Sequence, residues 1–337
     1  MLQEKKAVFP DNRQEEFITR RIIIYLGVTF TVSWLYEFLV VWPAANGTIA
    51  GLPAASVQML VAAVMLVPAL SVLLTRLVTK EGFKNSWFKP VGFKKNWPMW
   101  LLAWFGPAVF ILLGTVLYFL IFPNQYDTSM SYVIQSYAAA GVTLDVEQAR
   151  SIVTMQIIMA ILIGPILNIV TCFGEEWGWR GYLLPKMSLK FKTVPMLLIN
   201  GVIWGIWHAP LTAIGHNYGT GYPGFPWTGI LAMCFFCIVL GTLFSWVTLK
   251  TGSCLPAAIA HGGVNSLSAA AIYFTTDGGN PFIGPTLTGI IGGLPMILIA
   301  AWLAWRMVRD SKTDLSMVRD IEGKARFPES SLAGRQE

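Results

Sequence analysis

The sequence predicts an all-α, polytopic membrane protein with about eight transmembrane helices and both termini cytoplasmic. Three observations carry this. The 337 residues are 55% hydrophobic and only 12% charged, about half the charge of an ordinary soluble domain. The apolar residues fall in runs of the roughly 20 that a helix needs to cross a bilayer. And 23 of the 24 Lys and Arg residues fall on alternate connections between those runs.

The runs cover residues 22–42, 53–78, 97–122, 152–174, 194–214, 227–249, 253–274 and 286–307. Backbone polar groups must be paired internally in lipid, so these are helices. Pro68, Pro107, Pro165, Pro210 and Pro256 lie within them and predict kinks or ends. The chain divides into an N-terminal segment (1–21), N-terminal spans with an outer loop (22–150), a second group of spans (151–307) and a flexible cytoplasmic tail (308–337). The polar start has no short apolar core with a cleavage site, so no signal peptide is expected.

The basic residues lie before residue 22, in 75–96, in 180–192, at Lys250 and from Arg306 onward, while Arg150 stands alone on the other side. Positively charged connections stay cytoplasmic. The net charge of +6 is then a topology signal with some attraction to anionic membrane lipid, and it implies no nucleic-acid partner. The expected location is an integral, multi-pass position in the cell membrane. Cys172, Cys234, Cys237 and Cys254 all sit in apolar runs and read as small core residues, not as a disulfide set. No internal repeat of the kind found in secondary transporters is evident.

Ionisable groups at membrane depth are costly and mark function by default. Glu37 is read as lying near the outer interface, where a carboxylate costs little. Glu175, Glu176 and Arg180 close the fourth run in "FGEEWGWRGYLLP". Glu176 and Arg180, at i,i+4, suit an ion pair. Glu175 is turned about 100° away and is left free. His208 follows Trp204 in "WGIWHAP", and His261 precedes Asn265 by one turn in "AIAHGGVNS". Counted from the start of its helix, His261 is about 15 Å deep. His216 is expected to be solvated in an outer loop.

A buried carboxylate beside a histidine can act as general base toward water. A His and an Asn one turn apart can both donate to a developing oxyanion. Together they suit water attack on a peptide carbonyl. The same groups could hold a metal through Glu175, His208 and His261, and zinc suits such ligands. Spacing leaves Glu-activated and metal-bound water both open.

In order, Glu175-Glu176-x-x-x-Arg180, Trp204-x-x-x-His208 and His261-x-x-x-Asn265 resemble the motifs of the CAAX-protease and bacteriocin-processing family of intramembrane endopeptidases, related to the Ras-converting CAAX endopeptidase. The resemblance covers residues 175–265. It implies a helical core whose cavity opens toward the cytoplasm and hydrolysis near that face. It implies that Glu175 activates water, His208 positions it, and His261 and Asn265 stabilise the oxyanion, with Glu176, Arg180 and Trp204 in support. The substrate it implies is a peptide or protein, lipidated in the eukaryotic precedent. A non-catalytic immunity or scaffold protein of the same family is the alternative, and a transporter a more distant one.

Overall fold

The computed structural model describes residues 12–49, 54–90 and 92–310. The expected tail from 311 on and the first 11 residues of the N-terminal segment lie outside that range. Among the described residues the regular elements are all helices, with two isolated bridges, Tyr126–Thr275 and Asn280–Gly284.

Helix α1 (Asn12–Tyr36) passes through a π turn (Glu37–Val41) into α2 (Trp42–Ala45). Helices α3 (Ala54–Val64) and α4 (Val67–Val78) form one span with a short break. Helix α5 is Phe93–Ile121, α6 is Ser131–Ala139 and α7 is Val146–Leu162. Then come α8 (Gly164–Leu167), α9 (Ile169–Gly178), a π turn (Trp179–Leu183) and α10 (Leu184–Ser188). The last elements are α11 (Thr193–Trp207), α12 (Ala209–Thr212), α13 (Trp227–Thr251), α14 (Leu255–Leu267) and α15 (Leu294–Arg309).

Among the described residues, four helical stretches are long and apolar enough to cross a membrane: Glu15–Ala45, Ser56–Val78, Phe93–Ile121 and Trp227–Thr251. The other four expected spans are shorter or broken. The run 152–174 is interrupted at Ile163 and Asn168. Pro165 stands in the first turn of α8 and has no N–H to continue the ladder from α7. The runs 194–214, 253–274 and 286–307 yield α11 and α12, α14 and α15, each shorter than the apolar composition allows. The outer surfaces of the long helices expose Leu39, Leu77, Leu120 and Leu231, a lipid-facing character that water would not tolerate over so large an area.

Glycines set the closest helix approaches. A Cβ at Gly201 would stand 2.5 Å from Ile238 Cα, and one at Gly205 2.4 Å from Cys234 Cα. Only hydrogen fits there, so α11 lies directly on α13, as small residues four apart permit in membranes. Gly174 does the same for α9, where a Cβ would meet Met65 O at 2.7 Å.

Side-chain contacts define two faces. On one, Lys190 meets Glu15 at 3.4 Å, and Glu81 gathers Lys186 at 2.7 Å, Arg21 at 3.6 Å and Arg76 at 3.8 Å. The predicted basic connections therefore come together in space. On the other face, Asp127 N donates to Phe274 O at 2.9 Å, Arg150 Nη2 to Thr128 O at 2.8 Å, and Tyr218 stacks on Phe282 at 5.1 Å. The connections 122–145, 213–226 and 268–293 thus form one cap.

Candidate active site

Three helices bring the motif residues to one point. Helix α9 carries Glu175 and Glu176 just before its π turn, a distortion common at functional sites. His208 joins the end of α11 to the start of α12, which has Pro210 in its first turn. Helix α14 carries His261 and Asn265. Glu175, Glu176, Arg180, His208 and His261 are all buried.

Arg180 Nη1 lies 3.2 Å from Glu176 Oε1 and 3.2 Å from Oε2, so the i,i+4 pair forms as its spacing predicts. The guanidinium also rests on Trp204, 3.9 Å above the ring centre, a favourable cation–π contact. Trp204 turns its edge to His261 at 5.6 Å. It therefore supports both the ion pair and the histidine.

The two glutamates do not face separate surroundings, as a helix rotation alone suggests. His261 Nδ1 is 2.9 Å from Glu176 Oε1 and 3.6 Å from Glu175 Oε2. Because His261 arrives from a different helix, it reaches both carboxylates at once. His208 Nε2 lies 3.9 Å from Glu175 Oε1, and its Nδ1 lies 2.9 Å from the carbonyl of Trp204. Glu175 Oε2 is buried and receives no hydrogen bond of ordinary geometry from the protein.

Glu175, His208, His261 and Asn265 line one cavity of about 400 Å³. Asn265 is exposed to it and is otherwise engaged only by a weak contact to Cys172 Sγ at 3.6 Å. Asn168 and Thr171 also line it. The sequence reading missed them, although both are polar residues one and two turns before Glu175 on an apolar run. His216 lines the mouth of the same cavity, half-buried, so it is not the freely solvated residue expected from its loop.

Glu37 is a second correction. It is 1% exposed, and neither carboxylate oxygen has a hydrogen-bond partner. Tyr25, Thr29, Ser33 and Glu37 recur every fourth residue and are all buried, one face of a helix. Ser33 Oγ accepts from Trp207 Nε1 at 2.7 Å, so this face packs on the helix bearing His208. The four-residue spacing was the available signal.

Cys237 Sγ lies 4.0 Å from His208 Nδ1. That nitrogen is already turned to a backbone carbonyl, and the thiol is buried away from the cavity lining. It is placed as a packing neighbour, not as a nucleophile.

For a metal, the donor atoms that converge within 4.8 Å are those of Glu175, Glu176 and His261. The expected trio of Glu175, His208 and His261 is not that cluster. Glu176 Oε1 accepts from the Arg180 guanidinium, and its Oε2 lies 3.2 Å from the same nitrogen. Zinc asks for three free ligands in tetrahedral array, and the residues here do not fit that requirement.

The cavity lining lies away from the basic segments. The mouth residues His216, Asn217, Ser268, Thr286 and Thr288 belong to the cap opposite the basic face. Toward the basic face the floor is sealed by Trp177, Trp179 and Tyr182, all buried. Trp177 Nε1 donates to Ser86 O at 2.9 Å, and Cys254 N to Trp87 O at 2.7 Å. The 79–90 connection thus closes the site from below.

Residues 155–267 match the family model described as type II CAAX prenyl endopeptidase, Rce1-like. This third of the chain is similar to that family. It contains all three motifs, and it bears out the resemblance read from them. Among curated proteins, none matches the chain. The matched region includes α9, α11 and α14, the helices that carry the three motifs. The match supports a membrane protease at the coarse level.

Proposed function

We propose that the protein is a multi-pass intramembrane endopeptidase in which Glu175 activates the attacking water. The observation that carries this reading is the Glu175 side chain lining a cavity, with His208 Nε2 3.9 Å from Oε1 and His261 Nδ1 3.6 Å from Oε2. A neutral His208 with its proton on Nδ1, held by the Trp204 carbonyl, presents a lone pair at Nε2. Glu175 and His208 are then two acceptors 3.9 Å apart, each able to take one hydrogen of a single water.

In the reaction, Glu175 removes a proton as the water oxygen bonds to the peptide carbonyl carbon. The carbonyl oxygen becomes an oxyanion, which the Asn265 amide would meet as donor. His261 can add a second hydrogen bond from Nε2 only when the ring carries both protons, since Nδ1 is turned to Glu176. Collapse breaks the C–N bond, and the proton held by Glu175 passes to the leaving amine. Glu176 and Arg180 hold His261 in place.

A second cavity of about 870 Å³ adjoins the first and shares Leu240, Val264 and Leu287 with it. Its lining from α5, α13, α14 and α15 is apolar almost throughout, and its size is ample for a lipid chain. This favours a lipidated peptide substrate. The eight-pass arrangement of the expected spans and a location in the cell membrane belong to the same reading.

The test is purified protein in liposomes with lipidated and unlipidated membrane peptides, read by mass spectrometry. Cleavage at one internal bond is expected, faster for the lipidated peptide. No cleavage of either, with a cellular phenotype that survives His208→Ala and His261→Ala, would replace this reading with a binding role.

A further inference from the structure

We infer that Asn168 is a substrate-positioning residue: its carboxamide oxygen accepts a main-chain N–H of a peptide held extended in the cavity, about three residues from the bond that is cut. The inference rests on the peptidase reading for the cut bond, but the binding it describes needs no turnover. A peptide opened for hydrolysis at membrane depth gives up its helical hydrogen bonds, and its N–H and C=O groups must then find partners in the cavity. The catalytic residues serve only the cut bond. Partners for the rest of the strand must come from other polar groups along the wall.

Asn168 meets that need because its amide is oriented before any peptide arrives. It stands at the break between α8 and α9. Its Nδ2 donates to Gly164 O at 3.0 Å and to Ser266 Oγ at 2.9 Å. Ser266 Oγ in turn donates to Gly262 O at 2.7 Å. Glycines on both helices allow this close clamp. A Cβ at Gly164 would collide with Ser266 Oγ, and one at Gly262 would stand 2.9 Å from Pro165 O. A carboxamide has two donor hydrogens and one acceptor oxygen. Both hydrogens are engaged, so Oδ1 is the end left over, and no group among the described residues donates to it. Asn168 is half-buried and lines the cavity.

The depth of Asn168 sets which peptide group it meets. It precedes Glu175 by seven residues, roughly 10 Å by helical rise. An extended chain covers about 3.3 Å per residue, so that distance is about three residues of substrate. Helix α3 reaches the same depth. A Cβ at Gly174 would meet Met65 O at 2.7 Å, and one at Gly178 would meet Pro68 Cβ at 2.5 Å. The two contacts advance together, so α3–α4 and α9 run side by side in one direction. Gln58 is seven residues before Met65 and Asn168 six before Gly174, which puts the two carboxamides on one level. Gln58 interrupts an apolar run, is exposed, and lines the same cavity. A polar tier thus lies one strand-length from Glu175.

The experiment measures binding, in liposomes, of a fluorescent lipidated membrane peptide and of analogues in which one backbone amide at a time is replaced by an ester, which lacks the N–H. The full-length chain carries Glu175→Gln so that the peptide stays intact, and is compared with and without Asn168→Ala. One ester position should weaken binding about 3- to 10-fold, the usual net contribution of one hydrogen bond, and Asn168→Ala should abolish that difference. If every position-specific loss persists in Asn168→Ala, or if that variant weakens the amide and all esters alike, the inference is overturned. The absence of any position-specific loss overturns it too. Should Asn168→Ala fail to fold, Asn168→Leu keeps the volume and removes the acceptor. Binding is read without turnover, so failure of the peptidase reading shows separately, as intact binding with no cleavage by the unmodified protein.

Discussion

The imidazole of His208 directs Nδ1 at the carbonyl oxygen of Trp204, one turn earlier, at 2.9 Å. This backbone contact decides which nitrogen faces Glu175. A neutral ring so held offers Nε2 as an acceptor, which is what a water-positioning residue needs. Replacing His208 with Ala should lower kcat by about 10²–10⁴-fold, the usual range for a lost acid–base partner. KM should change little, because the ring holds water and not substrate. Steady-state kinetics on a single peptide separates the two.

Arg180 and Glu176 are both fully buried. Removing one partner leaves the other charge stranded, which typically costs about 3–5 kcal/mol. Arg180→Ala should therefore lower the melting temperature sharply. Adding Glu176→Gln to Arg180→Ala should recover part of the loss, since the stranded charge is gone. Detergent-solubilised thermal unfolding of both variants measures this directly. Equal melting points would mean the ion pair does not organise the core.

On the basic face, burial alone would raise the Glu81 carboxyl, but Lys186, Arg76 and Arg21 outweigh it and bring it down to about 2. A carboxyl with a depressed folded-state pKa stabilises above its unfolded value, about 4.5, and loses that contribution as pH falls toward 2. Stability should therefore fall through that window. Glu81→Gln should flatten this dependence and lower stability at pH 7. Unfolding midpoints from pH 7 down to 3 give the comparison.

The donor set disfavours a resident zinc ion, because Arg180 already holds Glu176. Turnover should survive prolonged treatment with a strong chelator, and purified active protein should contain well under one zinc per chain. Metal analysis by mass spectrometry, paired with activity, checks this.

The motif residues were legible in the sequence because they are polar groups in apolar runs, where each is conspicuous. Glu175, His208, His261 and Asn265 do line one cavity, and Glu176 pairs with Arg180. What was not legible depends on contacts between distant segments. Distance along the helix placed Glu37 near an interface, but its burial comes from the neighbours of α1 and not from depth. The shared grip of His261 on both glutamates needs α14 to cross α9. The sealing role of the 79–90 connection needs Trp177 and Cys254 to meet Ser86 and Trp87. Span lengths were overread because hydropathy does not see the breaks at Ile163 and Asn168.

The most direct test of the central claim is single-turnover cleavage of a membrane peptide by Glu175→Gln, compared with the unmodified protein. The amide keeps the shape of the side chain but cannot accept the proton of the attacking water. The prediction is an unchanged melting temperature and peptide binding, with the cleavage rate reduced by at least about 10²-fold. A folded Glu175→Gln variant that cleaves at the full rate would contradict it.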